Sequence, residues 1–282
     1  MDIKIFLQNF EMLTDAPNGI AKLKELILHL AVSGKLVYQD INDEPASALL
    51  AKIKTEKERL IEQKKIKHNF NSVAIKSTEI PFNIPQNWEW VRVGDIGRVV
   101  GGGTPRTNQS EYYTDNGIPW ITPSDLYRLP GKFISRGKKD ITLLGLQKSS
   151  SQLIPKGTVL FSSRAPIGYV AIAKNDLCTN QGFKSCVPFC IEMSEYIYYF
   201  LKFAAKEIDY QASGTTFKEI SGKEFSLIMI PVPPVEEQKR IVERVDYLMS
   251  LCNTLEIKMT QVKVYQERLA EVIIYQTSKM LT

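Results

Sequence analysis

Histidine and cysteine are scarce in this chain and scattered along it. The histidines are His29 and His68; the cysteines are Cys178, Cys186, Cys190 and Cys252. No Cys-x-x-Cys pair occurs, and the spacings fit no common zinc module. Reduced thiols are therefore expected, not a metal centre or a disulfide framework. No apolar run approaches the length of a membrane span. Met1-Asp2-Ile3-Lys4 lacks a signal-peptide pattern, which makes the cytoplasm the default compartment.

Catalytic signatures are missing too. Gly222-Lys223 is followed by Glu224 and has no upstream glycine at the distance a phosphate-binding loop needs. Gly101-Gly102-Gly103 does not extend to a dinucleotide fingerprint, because Arg106 stands where the third glycine belongs. The Gly-x-Ser-x-Gly elbow is absent. Pro233-Pro234 are flanked by Val232 and Val235, not by the Asp/Asn and aromatic residue expected of an adenine methyltransferase. Glu62-Gln63-Lys64 and Glu237-Gln238-Lys239 match a nuclease Glu-x-Lys pair by letter, but both fall on expected surface helices. No covalent chemistry is expected.

With 282 residues, 44% hydrophobic and 24% charged, the chain can bury a sizeable core in one or two domains. Its most informative run is Pro231-Val232-Pro233-Pro234-Val235-Glu236-Glu237-Gln238. Three prolines in four residues forbid helix, and the two glutamates suit a helix N-terminus. Ile241, Val245, Leu248, Cys252, Leu255, Met259, Val262, Gln266, Leu269, Ile273, Gln276 and Met280 then recur at alternating spacings of four and three. That is a heptad seam, interrupted in apolar character by the two glutamines. A helix of some 45 residues is roughly 65–70 Å long, which suits a spacer or a dimerisation arm.

Three segments follow. Residues 1–80 predict two polar helices and a linker: one helix after Asp15-Ala16-Pro17 with Gly34 as its stop, and one from Asp43-Glu44-Pro45 to about Lys67. Residues 81–235 have scattered Gly and Pro and short apolar runs. They predict strands at 89–93, 158–162, 169–173, 186–189 and 227–230, a helix at 195–205 and a short one after Ser221-Gly222. Residues 236–282 form the long helix. The expected class is α+β: a globular domain with small twisted sheets, N-terminal helices and a C-terminal coiled-coil helix. The aromatic residues of 195–205 are expected in the core.

Net charge is +5, and its distribution is uneven. Residues 126–175 hold Arg128, Lys132, Arg136, Lys138, Lys139, Lys148, Lys156, Arg164 and Lys174 with Asp140 as their only acid. Such an excess suits a phosphate-facing surface or, more plainly, a solvated basic face. Four turns could carry base contacts: Gly102, Gly103, Thr104, Arg106 and Thr107; Ser163 and Arg164; Asn180 and Gln181; and Thr215, Thr216 and Lys218. Glycine permits close backbone approach, and the polar side chains offer donors and amides of the kind that meet base edges.

The ordered set of motifs resembles the target-recognition domain and following helix of a type I restriction-modification DNA specificity (S) subunit. The residues that carry the resemblance are Asn87-Trp88-Glu89-Trp90, Gly102-Gly103-Thr104-Pro105, and Ile118-Pro119-Trp120-Ile121-Thr122 with Asp125-Leu126. They continue through Ile154-Pro155-Lys156-Gly157-Thr158-Val159-Leu160, Ala165-Pro166-Ile167-Gly168, Asn180-Gln181-Gly182-Phe183, Gly214-Thr215-Thr216, Glu237-Gln238 and Ile241-Val242. Residues 24–37 and 43–58 also resemble the family. A complete S subunit usually has two recognition domains and two long helices; this chain has one of each and no internal repeat, so it resembles a half-subunit.

The resemblance implies a non-catalytic reader of duplex DNA, on which methylation subunits assemble and with which the restriction subunit associates indirectly. S-adenosylmethionine, magnesium and ATP are implied only on those partners, and no cofactor on this chain. The domain at 81–235 is expected to read one half-site, with Lys138 and Lys139 among the phosphate anchors. The long helix is expected to pair with a second copy, antiparallel by the resemblance, or else to fold back on residues 17–67. An interaction scaffold without DNA specificity stays open as the other reading.

Overall fold

The computed structural model describes residues 16, 18–66, 74–212 and 218–280. The described residues divide into two compact units, one drawn from 1–29 and 243–282 and the other from 30–242. No helix among the described residues is long and apolar enough to cross a membrane.

Helix α1 (Gly19–Val32) buries Ile27, Leu28, Ala31 and Val32 and stops at Gly34, whose φ of +69° suits glycine. The Lys35 N–H returns to the Leu30 carbonyl at 2.9 Å, satisfying the end of the helix. Helix α2 (Ala46–Glu62) buries Ala46, Leu49 and Ile53 along one stripe. It ends before the expected Lys67, because Lys64 turns into the left-handed region at φ +55°.

The larger unit is α+β, built on three small sheets. Strand β1 (Glu89–Arg92), the single-turn helix α3 (Val93–Ile96) and β2 (Gly97–Gly101) open it. The short strands β3 (Tyr113–Thr114), β4 (Ile118–Ile121), β5 (Phe133–Ile134) and β6 (Lys139–Ile141) follow, with α4 (Leu143–Gln147) after them. Next come β7 (Val159–Ser163), β8 (Ile167–Ala173), β9 (Cys178–Thr179) and β10 (Lys184–Pro188). Helices α5 (Ser194–Gln211) and α6 (Gly222–Leu227), strand β11 (Met229–Val232) and helix α7 (Val235–Met280) complete the chain. The sheets are ordered β2-β10-β7-β8-β5, β3-β6-β4-β9 and β1-β11.

All five residues of β7 are buried, as expected of a strand with neighbours on both edges and cover on both faces. Leu160, Ala171, Ile121, Leu177 and Phe183 share its core cluster. Helix α5 packs on β8 and buries Tyr196, Ile197, Tyr198, Tyr199, Phe200 and Leu201. Its aromatics Tyr196, Tyr198, Tyr199 and Phe200 are core, and burying each contributes on the order of 1.5–3 kcal/mol, whereas Tyr210 near its end is exposed.

The expected strands all form within a residue or two of the ends read from the sequence. The four-stranded sheet was not expected: its members have two to four residues, too few for a period to register. Pro119 also argues against a central strand. It is tolerated because β9 pairs with Trp120 and Ile121 only, leaving that edge of Pro119 without a ladder partner.

Candidate nucleic-acid interface

The turns singled out from the sequence lie side by side. Gly103 donates its N–H to the Thr179 carbonyl at 2.9 Å, and Gly102 to the Phe183 carbonyl at 3.4 Å. On the other side of that turn, Ser163 donates to the Gly182 carbonyl at 2.7 Å, and Ile220 donates to the Ser163 carbonyl at 3.1 Å. Single bridges join Ser162 to Phe183 and Arg164 to Glu219. These segments leave their sheets here, and each satisfies its backbone on the next. The spatial order is 102–103, 179–183, 162–164 and 219–220.

Within this cluster the expected residues take different roles. Gly102 and Gly103 permit close approach, but to the protein itself. A Cβ on Gly102 would strike the Asn180 carbonyl, and one on Gly103 the Ser151 N–H. The Gly103 carbonyl also accepts from Trp120 Nε1 at 2.9 Å and Ser151 Oγ at 2.7 Å. The space that a side chain would need is taken up by the protein, so these glycines shape the loop. Ser163 is likewise corrected: it is fully buried, so its hydroxyl meets no external partner.

Thr104 donates its hydroxyl to the Gln181 side-chain oxygen. Asn180 turns its side-chain oxygen inward to accept from the Gly182 N–H at 2.9 Å, while Gln181 is exposed. Arg106 and Thr107 are exposed. Arg164 and Lys184 share Glu219, at 3.7 and 3.1 Å. Lys218 lies 3.2 Å from the Asp209 carbonyl oxygen and 3.8 Å from its carboxylate. Thr215 and Thr216 lie outside the described residues.

Lys138 and Lys139 are exposed on the neighbouring sheet. Lys139 pairs with Trp120, and Trp120 pairs with Cys178 on its other side. Two strand spacings, about 10 Å, therefore separate Lys139 from the strand leading into Asn180.

The basic run at 126–175 does not form one patch. Lys156 and Lys174 sit at the end of the β7–β8 hairpin marked by the Gly157 N–H to Ala173 carbonyl bond, opposite the Arg164 turn. Lys132 is ion-paired with Glu195, and Arg136 with the buried Asp140 at 2.5 Å. The tertiary fold thus disperses a charge excess that the sequence presents as continuous.

Burial pushes the Cys178 and Cys186 thiols up to about 12, and burial with the neighbouring Glu192 carboxylate pushes Cys190 to about 11. Burial raises Cys252 as well. These thiols stay protonated near neutrality and are poor nucleophiles.

The start of α7 carries a buried network that the sequence did not reveal. Glu237 is fully buried and accepts from Trp88 Nε1 at 2.9 Å and Gln39 Nε2 at 2.5 Å. Burial holds its carboxyl above the usual range, against the opposing pull of those donors and of Arg240. Arg240 pairs with Asp43 and lies over the Tyr38 ring, 4.8 Å from its centroid. Lys239 instead reaches Glu236 at 2.7 Å, so Glu237 and Lys239 do not form a nuclease pair. Glu237 looks like an ordinary helix-terminal acid in the sequence; its partners lie 149 and 198 residues away.

The heptad seam is divided. Ile241, Val245 and Cys252 are buried within the single chain, and Leu248, Leu255 and Met259 are half-buried. Within the smaller unit, Lys24 of α1 pairs with Glu256 of α7 at 2.7 Å. Val262, Gln266, Leu269 and Ile273 are exposed. The stretch open to a partner is therefore shorter than the full seam read from the sequence.

A sequence model described as the type I restriction modification DNA specificity domain matches residues 85–266. The MjaIX specificity subunit of Methanocaldococcus jannaschii, from a type I restriction enzyme, is 44% identical over 181 residues, covering 62% of this chain and 41% of the relative. The EcoAI specificity subunit of Escherichia coli, also from a type I restriction enzyme, is 29% identical over 94% of this chain and 46% of its own length. The chain spans under half the length of these curated relatives. Among solved structures, a chain from a type I restriction-modification complex superposes with a TM-score of 0.57 at 22% identity, covering 89% of this chain and 54% of that one. The HsdS subunit from Thermoanaerobacter tengcongensis gives 0.51 at 20% identity, over 85% of this chain and 50% of that one. At these identities the structural likeness establishes the fold alone.

Proposed function

We propose a function from one premise: this chain belongs to the type I restriction modification DNA specificity family, whose model it matches over residues 85–266. The chain reads one half of a bipartite duplex site and carries no covalent chemistry of its own. The observation that carries this reading is the junction of 102–103, 179–183, 162–164 and 219–220 by backbone hydrogen bonds. It gathers Arg106, Thr107, Gln181 and Lys218 on exposed turns of one region, with Lys138 and Lys139 on the adjoining sheet. Polar side chains on turns fixed by a rigid scaffold suit base edges, and exposed lysines suit phosphates.

The chain would work in the cytoplasm with methylation subunits, and with a restriction subunit through them. S-adenosylmethionine, magnesium and ATP would be held by those partners. Two copies would pair through the exposed stretch of α7 around Val262, Gln266, Leu269 and Ile273, giving a two-fold reader of an inverted repeat. The apolar members of that stretch support pairing, and Gln266 supplies a polar position of the kind that fixes register.

The test is selection from a random duplex library by the full chain mixed with its methylation subunit. An enriched inverted repeat with a fixed spacer supports the paired reader. One short enriched half-site supports the reader without the pairing. A formed complex that enriches nothing overturns the reading and leaves a scaffold.

A further inference from the structure

We propose that Arg128, held on the ring of Tyr127 beside Tyr169, determines specificity at one base pair by reading a base edge. This rests on the functional reading above and adds a recognition element to it. Neither tyrosine belongs to the four turns singled out from the sequence.

Tyr127 and Arg128 follow the 3₁₀ turn Pro123–Leu126. That turn is locked by Asp125, which accepts from the Thr122 N–H at 2.8 Å, the Thr122 hydroxyl at 2.7 Å and the Lys138 N–H at 3.0 Å. Pro123 abuts the loop cluster: a Cβ on Gly182 would lie 3.0 Å from its Cγ. Tyr169 joins from the other side, its N–H donating to Ser162 Oγ at 2.7 Å, one residue before the Ser163 that holds Gly182. The Tyr127 and Tyr169 rings lie 6.5 Å apart at 43°.

Tyr127 is 59% exposed, and the Arg128 guanidinium lies 5.2 Å from its ring centroid. Arg92, Arg136, Arg164 and Arg240 all have carboxylate partners. Arg128 is exposed and has no acidic partner among the described residues. Its backbone sits at φ +56°, a conformation that favours glycine. An arginine held in that strained conformation, with its charge uncompensated, points to a role for the side chain.

The chemistry favours a base over a phosphate. Attraction to the ring face at 5.2 Å limits where the guanidinium can go, and so which positions its N–H fork can reach. A fork so restrained matches the paired O6 and N7 acceptors of a guanine in the major groove. A phosphate contact needs no such restraint and is served by the exposed Lys138 and Lys139.

The experiment repeats the duplex selection with the full chain, alone and with the methylation subunit, as wild type, Arg128→Gly and Arg128→Lys. Arg128→Gly keeps the fold, because φ +56° suits glycine. The expected result is loss of base preference at one position, with affinity for the wild-type site falling roughly 5- to 150-fold. Arg128→Lys should lose the same preference with an unchanged salt slope. An Arg128→Gly variant that selects the wild-type site at every position overturns the proposal. So does uniform weakening on all sequences with a shallower salt slope, which marks a phosphate contact. Wild-type binding without any sequence preference overturns the functional reading, and this assignment with it.

Discussion

Ser163 donates its backbone N–H to the Gly182 carbonyl at 2.7 Å while its own hydroxyl lies buried without a hydrogen-bond partner among the described residues. Its backbone, which also accepts from Ile220, joins two segments of the candidate interface, and its side chain is not needed for that. Ser163→Ala is expected to leave duplex selection unchanged and stability equal or higher by up to about 1 kcal/mol, since it removes an unsatisfied polar group. Thermal melting and the selected site check this. A changed site would return the hydroxyl to the interface.

Gly101 and Gly102 are neighbours with opposite tolerance. A Cβ on Gly101 meets nothing within 4 Å, whereas one on Gly102 runs into the Asn180 backbone. Gly102→Ala is expected to destabilise by about 1–3 kcal/mol through overpacking, and Gly101→Ala by under 1 kcal/mol. Denaturant midpoints separate the two. Equal midpoints would mean the loop yields freely.

Glu237 gives a pH dependence of unusual sign for a carboxylate. Its folded-state pKa is raised by burial, so its stabilising contribution is present below the unfolded value and is lost as pH rises through the folded value. Glu237→Gln removes that loss, so the variant is expected to gain stability relative to wild type between pH 4 and pH 7. Glu237→Ala should instead lose about 1–3 kcal/mol, because it leaves the buried Trp88 Nε1–H unpaired, while the exposed Gln39 amide turns to water. Melting across pH tests both. A Gln variant that falls further behind at pH 7 than at pH 4 would show the charge to be stabilising.

Arg106 and Lys138 are expected to fail differently. Arg106→Ala should weaken preferred duplexes by about 1–3 kcal/mol and relax one position of the site. Lys138→Ala should weaken all sequences alike and reduce the salt slope by about one. Titrations at several salt concentrations on preferred and scrambled duplexes distinguish them. Reversed behaviour would exchange their roles.

The two halves of the seam should also separate. Leu269 is 61% exposed and Val245 is fully buried. Leu269→Asp is expected to yield monomers by sedimentation with the melting temperature of the larger unit unchanged. Val245→Asp should destabilise by several kcal/mol by burying an unpaired charge. A dimer that survives Leu269→Asp would place the pairing elsewhere.

Most elements longer than about four residues were legible in the sequence because each carries a local periodicity or a strong stop; β2 and α4, at five residues, were not expected. Gly34, the proline run before α7 and the apolar run of β7 belong to that class. The two-residue strands β3, β5 and β9 were not, since they exist only through their partners. The candidate turns could be named from Gly, Ser and Asn content, but which side chain faces outward could not. Ser163 and Thr107 look equivalent as letters, yet one is fully buried and the other exposed.

The sequence by itself determined the α+β class, the long helix from Val235, the absence of common catalytic motifs and the family resemblance, because these rest on local spacing and composition. Tertiary structure decided the rest. It dispersed the basic run, buried Glu237 against Trp88 and Gln39, covered the first part of the seam, and set Tyr127 and Arg128 beside Tyr169. Each of these depends on hydrogen bonds or packing between residues tens to hundreds of positions apart, and burial and charge pairing are properties of that three-dimensional neighbourhood.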